Sequence, residues 1–468
     1  MSLMGIFEES RCITLQMQGI QFGHLDRRLR YNRIIGALHS TNAFLSFPEV
    51  FKDQHQLKGF YRLINNKAIT HSTFISGYQS GLVQYSKEQE ETPPWILIQD
   101  TMLTDYNSRN LDLGYTQTLK SNGFLLHHGL LLDESYHPLG LLHQQVIHRE
   151  RNEFGKASEC ENKSIIEKES NKWIEGIETG IKFSQDTGRH LIHVMDREAD
   201  IAEVINKCTG SEQYFIIRAR HDRSTLTTTE KDKSDAPELF RIFHLLPTLE
   251  HPGSITRTLR NTKGKEYQAD CYLNFRSFRF RGIKQAITGV WIREKNAVDD
   301  SPPAEWFLLT NLPVRNMKEA EQIGEIYSKR WTVEDFHKCY KTDCSIEKRQ
   351  FDSRKTLTTS IGLLALTAVT LLRSRYFAKN AHNESFETIV TDSKQQELAK
   401  KLADKYLKPV DSQICQQYST LWWLLLLGRM GGHQGFKQKG LPGWQTLWKG
   451  YAYFQSLSTG FNLSDNTS

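Results

Sequence analysis

Cysteine is scarce in this chain, and its distribution excludes two classes of protein. The 468 residues include seven cysteines. They are Cys12, Cys160, Cys208, Cys271, Cys339, Cys344 and Cys415. An odd number of scattered cysteines without a C-x-x-C pair argues against a disulfide framework and against a zinc site. We therefore expect a protein of a reducing cytoplasm.

Long hydrophobic runs are also missing. The longest apolar stretch, Ile361 to Leu372, is interrupted by threonines and is too short to span a bilayer. The first residues, MSLMGIFEES, carry acids where a signal peptide would have its apolar core. The sequence thus predicts no membrane partner and a cytoplasmic location.

Charge is nearly balanced overall but unevenly distributed. Lys and Arg number 60 against 54 Asp and Glu, a net charge of +6. Residues 1–70 hold nine basic and five acidic residues, and residues 370–468 hold twelve and seven. The middle of the chain is consequently net negative. Two basic ends around a carboxylate-rich centre suggest a polyanionic partner.

The apolar pattern predicts an α/β protein with three regions. Residues 1–70 have helical spacing and an arginine-rich surface, which is either a nucleic-acid contact or a solvated basic face. Residues 71–369 contain short apolar runs typical of buried strands, then strands that alternate with helices, and a strand-rich insertion at about 214–314. Residues 370–468 are again helical. The basic residues of the first region are Arg27, Arg28, Arg30 and Arg33.

One predicted helix, from Ala320 to Thr342, carries an unusual polar stripe. Five side chains fall within roughly 80° of one another at about 100° per residue. They are Tyr327, Arg330, Glu334, Lys338 and Lys341. The stripe is either a phosphate-binding surface or an exposed helix face with salt bridges four residues apart.

Two aspartates close short apolar runs: Asp100 follows WILIQ, and Asp196 follows HLIHVM. Sites in α/β sheets lie at the carboxyl ends of strands, although an aspartate there also commonly caps the next helix. Together with Glu334 they form an all-carboxylate set, which suits Mg²⁺ or Mn²⁺. Two such ions can clamp the attacking and leaving oxygens of a phosphoryl displacement.

The pattern Tyr327-x₂-Arg330-x₃-Glu334-x₆-Lys341 matches the Y-R-E-K signature of the insertion-sequence-four family of DDE transposases. Collinear segments from about residue 20 to about 455 also resemble that family. They include GFYRLINN (59–66), QDT (99–101), LGLLHQ (139–144), MDREADI (195–201), FIIRARH (215–221), RWTVEDFHKCYKT (330–342) and GRMGG (428–432). Residues 222–235, 296–304 and the last dozen do not align well with the family.

The resemblance implies a ribonuclease-H-like catalytic domain (71–369) interrupted by the β-insertion, a DNA-end-binding domain (1–70) and a helical dimerisation region (370–468). It implies a metal-binding catalytic triad of Asp100, Asp196 and Glu334, with two Mg²⁺ ions that Mn²⁺ can replace. It also implies DNA-binding residues, which are Tyr327, Arg330, Lys338, Lys341, Arg218, Arg220, Trp306 and Trp331. Among these, Trp306 would stack on a flipped base. The four N-terminal arginines match the family only in their basic density, and we expect them to contact DNA because their helix is the best candidate for a groove reader.

The implied activity is cut-and-paste transposition: a homodimer binds transposon ends, nicks one strand, forms a hairpin and joins the 3′ ends to target DNA. The expected partners are double-stranded DNA and a second copy of the chain, with no small-molecule substrate. Two alternatives stay open, a DNA-binding regulator without activity and a stand-alone nuclease. The complete triad favours the transposase over the regulator. The basic N-terminal region and the long helical C-terminal region favour the transposase over the nuclease.

Overall fold

A computed structural model describes residues 11–465 apart from several segments. The segments outside the description are 41–45, 52, 91–92, 107–110, 112, 117–119, 150–167, 226–240, 251, 261–265, 298–301, 381–382, 389, 391 and 436–441. Most of the poorly aligned loop 222–235, part of the loop 296–304 and the final three residues therefore lie outside the described residues.

A nine-stranded mixed sheet forms the centre of the fold. Its strands are β1 (Trp95–Leu103), β4 (Leu125–Leu132), β5 (Pro138–Ile147), β6 (Leu191–Met195), β7 (Tyr214–Arg218), β8 (Gly253–Arg260), β9 (Glu266–Phe278), β10 (Ile287–Glu294) and β11 (Glu305–Thr310). Two short strands, β2 (Tyr115–Thr116) and β3 (Ser121–Asn122), pair separately. The order across the large sheet is β5-β4-β1-β6-β7-β11-β10-β9-β8.

The strand directions divide this sheet into two parts. Strands β1, β6 and β7 run parallel, whereas β4 and β5 continue from β1 as an antiparallel meander. Strands β8 to β11 are antiparallel and join the sheet through the pairing of β11 with β7. The strands of the predicted insertion thus extend the central sheet instead of forming a separate one.

Helices cover both faces of the sheet and make up both ends of the chain. The α-helices before the insertion are α1 (Arg11–Gly19), α2 (Leu25–Ser40), α3 (Phe47–Val50), α4 (Gln54–Ile64), α5 (His71–Lys87), α6 (Asn171–Thr187) and α7 (Ala202–Gly210). Helix α8 (Ile242–Leu245) lies within the insertion. Those that follow it are α9 (Met317–Ser328), α10 (Trp331–Lys338), α11 (Arg354–Asn380), α12 (Ser393–Tyr406), α13 (Pro409–Ser412), α14 (Thr420–Met430) and α15 (Trp444–Asp465).

The long helix α11 packs across the centre of the molecule, against α5 and β5. It runs without a break through residue 370, where the sequence predicted the start of the last region. Its segment Arg354–Tyr376 has the length and apolarity to cross a bilayer, but 89% of the apolar window is buried inside the protein, as in a core helix. The proposed roles of the three regions stay predictions.

Candidate active site

A row of polar side chains crosses the middle of the sheet. The register pairs Gln144 with His128 and His128 with Asp100. Continuing the parallel registers past their last pairs, Ile98 with Val194 and Met195 with Ile217, aligns Asp100 with Asp196 and Asp196 with Arg218. Side chains opposite one another in a sheet share a face. We call Gln144, His128, Asp100, Asp196 and Arg218 the polar row.

The helix α10 covers the face of the sheet that carries the polar row. The ring of His128 contacts Phe336 and His337 of α10, with ring centroids 5.2 and 5.0 Å apart. The neighbouring residue on β4, His127, points to the other face and contacts Trp173 of α6 at 4.8 Å. The carboxylates of the polar row therefore face the helix that carries Glu334.

Asp100 lies inside β1, not at its end as the apolar run predicted, because the strand continues to Leu103. Burial raises the pKa of the Asp100 carboxyl to about 6, the Arg330 charge opposes the rise, and the charges of Asp196 and Glu334 add to it. Burial also raises the pKa of Asp196. The three carboxylates thus interact in a poorly solvated site.

Asp196 also has the capping role that the sequence left open. Its Oδ1 accepts a hydrogen bond of 2.9 Å from the backbone N–H of Glu198. Asp196 thereby caps the start of a 3₁₀ turn at Arg197–Ala199. This bond uses one carboxylate oxygen and orients the side chain. The capping and site interpretations of Asp196 are compatible.

The helix predicted from Ala320 to Thr342 is divided into three pieces. At the junction of α9 and α10, Arg330 N–H bonds to the carbonyl of Tyr327, and Val333 N–H bonds to that of Arg330, three residues back instead of four. After α10, Cys339–Asp343 form a π turn. The prediction of one uniform helix was wrong, because a tightened turn separates α9 from α10 and a wider π turn follows α10. These two turns change the directions in which the side chains point. Both irregularities are common at functional sites.

Arg330 connects two of the predicted ligands. Its Nη1 lies 3.0 Å from Asp100 Oδ2, and its Nη2 lies 2.7 Å from Glu334 Oε1. The Arg330 and Asp100 side chains are each 14% exposed, and that of Glu334 is 40% exposed. A single guanidinium is therefore shared between these two carboxylates in the structure.

The carboxylates fit the kind of ion predicted for them, although they are not arranged as a finished metal site. Among the residues that the structure describes, no three His, Cys, Asp or Glu side chains form a group that could hold a metal ion. The donors are nevertheless hard oxygens, which Mg²⁺ and Mn²⁺ prefer. Burial raises the pKa of Asp100 in spite of the Arg330 charge, and the charges of Asp196 and Glu334 raise it further. A cation that bound here would compete with Arg330 for the carboxylate oxygens of Asp100 and Glu334.

The other predicted phosphate-binding residues surround this centre at different depths. Tyr327 is buried, which raises the pKa of its hydroxyl, and it interacts with Arg330 and Arg218. Arg218 also donates to the backbone carbonyl of Glu305 at 2.9 Å. Lys338 and Arg220 are exposed. Lys341 forms an ion pair of 3.1 Å with Glu347.

The two predicted tryptophans differ in exposure. Trp331 is 48% exposed beside Arg330, whose guanidinium carbon lies 5.2 Å from the indole centroid. Trp306 is half-buried on β11, opposite Ile292, and packs against the main hydrophobic core. An aromatic face is thus available to a ligand at Trp331, while Trp306 is partly core.

The four N-terminal arginines lie on α2, and two of them bond within the chain. Arg27 donates to the carbonyl of Phe22 at 3.0 Å, and Arg28 donates to the carbonyl of Met17 at 2.6 Å. Arg30 packs its side chain near Gly59, and Arg33 is exposed. Individual DNA contacts by all four therefore remain a prediction, with Arg33 the most accessible.

Sequence reasoning missed the polar residues that support the site. The doublet His127–His128 inside an apolar run was the available signal, since two histidines in a buried strand must both find partners. Asp200, in the same segment as Asp196, is 1% exposed and accepts backbone N–H groups from Arg220 and His221 at 2.8 and 2.9 Å. It fixes the chain after β7.

Residues 175–370 match the family model described as a transposase DDE domain. The matched segment contains Asp196 and Glu334 and begins after Asp100. The match supports membership of a DDE transposase family, and it indicates a transposase. The mixed sheet with flanking helices is consistent with the ribonuclease-H-like core expected of such a domain.

Proposed function

We propose that this chain is a cut-and-paste DNA transposase of the insertion-sequence-four family, acting as a homodimer on transposon ends and target DNA. The observation that carries the proposal is that the parallel register of β1 and β6, continued by two residues, aligns Asp100 with Asp196, while Arg330 bridges Asp100 to Glu334. Carboxylates gathered from three separate parts of the chain are unusual without a shared role. The matched transposase segment contains two of the three.

The residues of the chain divide the chemistry among them. Asp100, Asp196 and Glu334 would hold Mg²⁺, with Mn²⁺ as a substitute, and two such ions would supply the Lewis-acid chemistry of phosphoryl transfer when bound. Arg330 would bind phosphate through two parallel N–H groups once it leaves the carboxylates. Because Arg330 would exchange the carboxylates for a phosphate, its position would couple the binding of DNA to the state of the carboxylates.

The remaining predicted contacts would hold the DNA around this centre. Tyr327, Lys338 and Lys341 would bind phosphates on the helix side, and Arg218 and Arg220 on the sheet side. Trp331 and Trp306 would stack on unpaired bases, each worth roughly 1–3 kcal/mol. The arginines of α2, of which Arg33 is exposed, would recognise the transposon end with an affinity that falls steeply with salt.

One observation favours a second candidate, a DNA-binding regulator that does not cut. No metal-holding group of three His, Cys, Asp or Glu is formed among the described residues, and Arg330 already neutralises Asp100 and Glu334. If that ion pair persisted on DNA, the protein would bind ends without cleaving them. The two candidates differ only in whether Arg330 releases Asp100 and Glu334 when DNA binds.

The test is cleavage of a supercoiled plasmid that carries the DNA flanking this gene. We expect Mg²⁺-dependent nicks and then double-strand breaks at the ends of the element, and no cleavage by Glu334→Gln, which should still shift end DNA in a gel. Glu325→Gln is the matched control, because Glu325 on α9 has a side-chain exposure of 43% against 40% for Glu334. End binding without any cleavage by the unaltered protein would establish the regulator instead. Sequence-independent cutting without joined products would establish a nuclease.

A further inference from the structure

Behind Asp100, a chain of hydrogen bonds links four buried or largely buried residues from four elements. His71 Nε2 lies 2.9 Å from Gln144 Oε1, Gln144 Nε2 lies 2.9 Å from His128 Nε2, and His128 Nδ1 lies 3.0 Å from His337 Nε2. These residues belong to α5, β5, β4 and α10. We call this series the imidazole chain.

The amide of Gln144 gives the imidazole chain a single direction. An amide oxygen only accepts hydrogen bonds and an amide nitrogen only donates them. His71 must therefore donate to Gln144, and Gln144 must donate to Nε2 of His128. His128 then carries its proton on Nδ1 and donates it to Nε2 of His337. Each step has one donor and one acceptor, so the whole chain is satisfied with neutral rings.

Two residues of the imidazole chain, His128 and His337, lie next to the predicted carboxylate ligands. His128 pairs directly with Asp100 across β1 and β4. His337 follows Glu334 by three residues, and side chains with that spacing are neighbours on a helix surface. The hydrogen bond between His128 and His337 therefore joins the strand beside Asp100 to the helix of Glu334.

The helix α10 has reason to need this link. It has eight residues, and it lies between the tightened turn at Arg330 and the π turn at Cys339–Asp343. Its buried apolar residues, Val333 and Phe336, hold it against the core, but apolar contacts are not directional. A hydrogen bond adds the orientation that a carboxylate ligand requires, since supporting hydrogen bonds fix ligands in metal sites.

We propose that His128 and His337 are positioning residues, whose hydrogen bond sets the rotation of α10 so that Glu334 faces Asp100 and Asp196. This inference rests on the proposed function. It requires that the bond, not merely the bulk of the rings, supports cation binding. The donor, Nδ1 of His128, and the acceptor, Nε2 of His337, belong to different residues, so each can be removed by its own substitution.

The experiment measures Mn²⁺ binding by the full chain without DNA, from the electron paramagnetic resonance signal of free Mn²⁺, together with single-turnover cleavage and end-DNA affinity. His337→Leu removes the acceptor, and His337→Gln keeps an acceptor oxygen near the Nε2 position. We expect His337→Leu to weaken Mn²⁺ binding and slow cleavage by about 10-fold to 100-fold, the range for supporting residues of metal sites. End-DNA affinity should change less than about twofold, and His337→Gln should recover most of the loss.

His143→Leu is the matched control for burial. His143 is 8% exposed, neighbours Gln144 on β5 and bonds to Thr179 of α6 on the opposite face of the sheet. The His143→Leu substitution should lower the melting temperature without changing the affinity for Mn²⁺. If His337→Leu does not fold, His128→Asn, which keeps a donor near Nδ1, is compared with His128→Leu for the same contrast.

Two outcomes would overturn the inference while leaving the proposed function intact: a His337→Leu protein with unaltered Mn²⁺ affinity, or equal losses in His337→Leu, His337→Gln and His143→Leu. A failure of the proposed function looks different. In that case the unaltered protein itself neither binds Mn²⁺ through Glu334 nor cleaves DNA, and the inference falls with it.

Discussion

Arg330 holds Asp100 by a contact of 3.0 Å between Nη1 and Oδ2, in a site where both side chains are 14% exposed. The two residues are 230 positions apart in the chain, so the contact exists only because α10 packs over β1. A buried pair of this kind is strongly affected by the loss of either partner. It makes Arg330 the residue through which cation binding and DNA binding should be linked.

The first prediction concerns this competition. Arg330→Gln should bind Mn²⁺ several-fold more tightly than the unaltered protein when DNA is absent, because the guanidinium no longer neutralises Asp100 and Glu334. The measurement is a Mn²⁺ titration at pH 8, well above the pKa of about 6 of the Asp100 carboxyl. The same variant should cleave DNA more slowly, since a phosphate ligand is lost. Lys338→Gln, on an exposed side chain, controls for the loss of one positive charge. Equal Mn²⁺ affinity in all three proteins would contradict the prediction.

The second prediction concerns pH and stability without metal. The pKa of Asp100 is about 6 in the folded chain against an ordinary value of 3.8, so the folded state binds more protons than the unfolded state between these values. Ionising Asp100 therefore removes stability as pH rises from about 4 to about 6, by up to about 3 kcal/mol. Asp100→Asn should abolish this loss.

The measurement is the melting temperature of Asp100→Asn and of the unaltered protein in EDTA at pH 4.5, 5.5, 6.5 and 7.5. The melting temperature of the asparagine variant, taken relative to that of the unaltered protein, should rise with pH and level off above about 6.5. A constant difference across this range would show that the burial of the Asp100 charge does not limit stability.

The apolar runs predicted the central strands well, because a strand buried on both faces has few polar positions. Strands β4, β5 and β6 begin and end within a residue or two of the runs at 124–133, 139–148 and 190–195. The interruption at Arg330 was not predictable from the pattern. From Glu325 to Thr342 the sequence contains no proline or glycine that would mark a break, and Asp100, the partner of Arg330, is distant in sequence.

The leucine run of the last region illustrates a different limit. The predicted dimerisation region (370–468) contains the apolar run Leu421–Leu427. Its side chains are buried within a single copy of the chain, where α14 packs on α15, so the run belongs to the core. An apolar sequence predicts burial but does not identify the surface that buries it. The homodimer stays a prediction.

The third prediction separates two acids of the MDREAD segment. Asp200→Ala should lower the free energy of unfolding by about 3–5 kcal/mol, because it leaves Arg223 without its 2.6 Å partner and frees two backbone N–H groups. Glu198→Ala should cost less than about 1 kcal/mol, since its side chain is 58% exposed. Urea unfolding of both variants is the measurement. Similar losses would mean that Asp200 is not the residue that anchors the chain after β7.

The fourth prediction concerns the GRMGG segment. A Cβ atom on Gly431 would lie 1.8 Å from the carbonyl oxygen of Thr446, and one on Gly450 would lie 1.8 Å from that of Leu427. Gly431→Ala should therefore separate α14 from α15 and cost about 1–3 kcal/mol of stability. Gly443→Ala is the control, because a Cβ there has no neighbour within 4 Å. Melting temperatures of the two variants should differ clearly, and equal values would refute the close packing of α14 on α15.

The last prediction concerns Trp306 and follows from the proposed hairpin route. A base near a hairpin tip must leave the stack at a cost of a few kcal/mol, and an aromatic face can recover roughly 1–3 kcal/mol of it. Trp306 is half-buried on the face of β11 shared with Arg218, because its neighbour Leu308 pairs with that arginine. Its indole is thus near the polar row and retains an exposed part. We expect Trp306→Ala to leave first-strand nicking largely intact and to depress hairpin formation, with Trp306→Phe in between.

Trp291→Ala is the matched control for this prediction. Trp291 lies on the adjacent strand β10, on the opposite face of the sheet, and is 4% exposed. Its loss should lower the melting temperature and reduce nicking and hairpin formation together, as any loss of core packing does. Gel analysis of nicked, hairpin and resolved products, beside a melting curve for each variant, distinguishes the two patterns. If Trp306→Ala behaves like Trp291→Ala, then Trp306 serves the core alone, and the exposed indole of Trp331 becomes the better candidate for the stacked base.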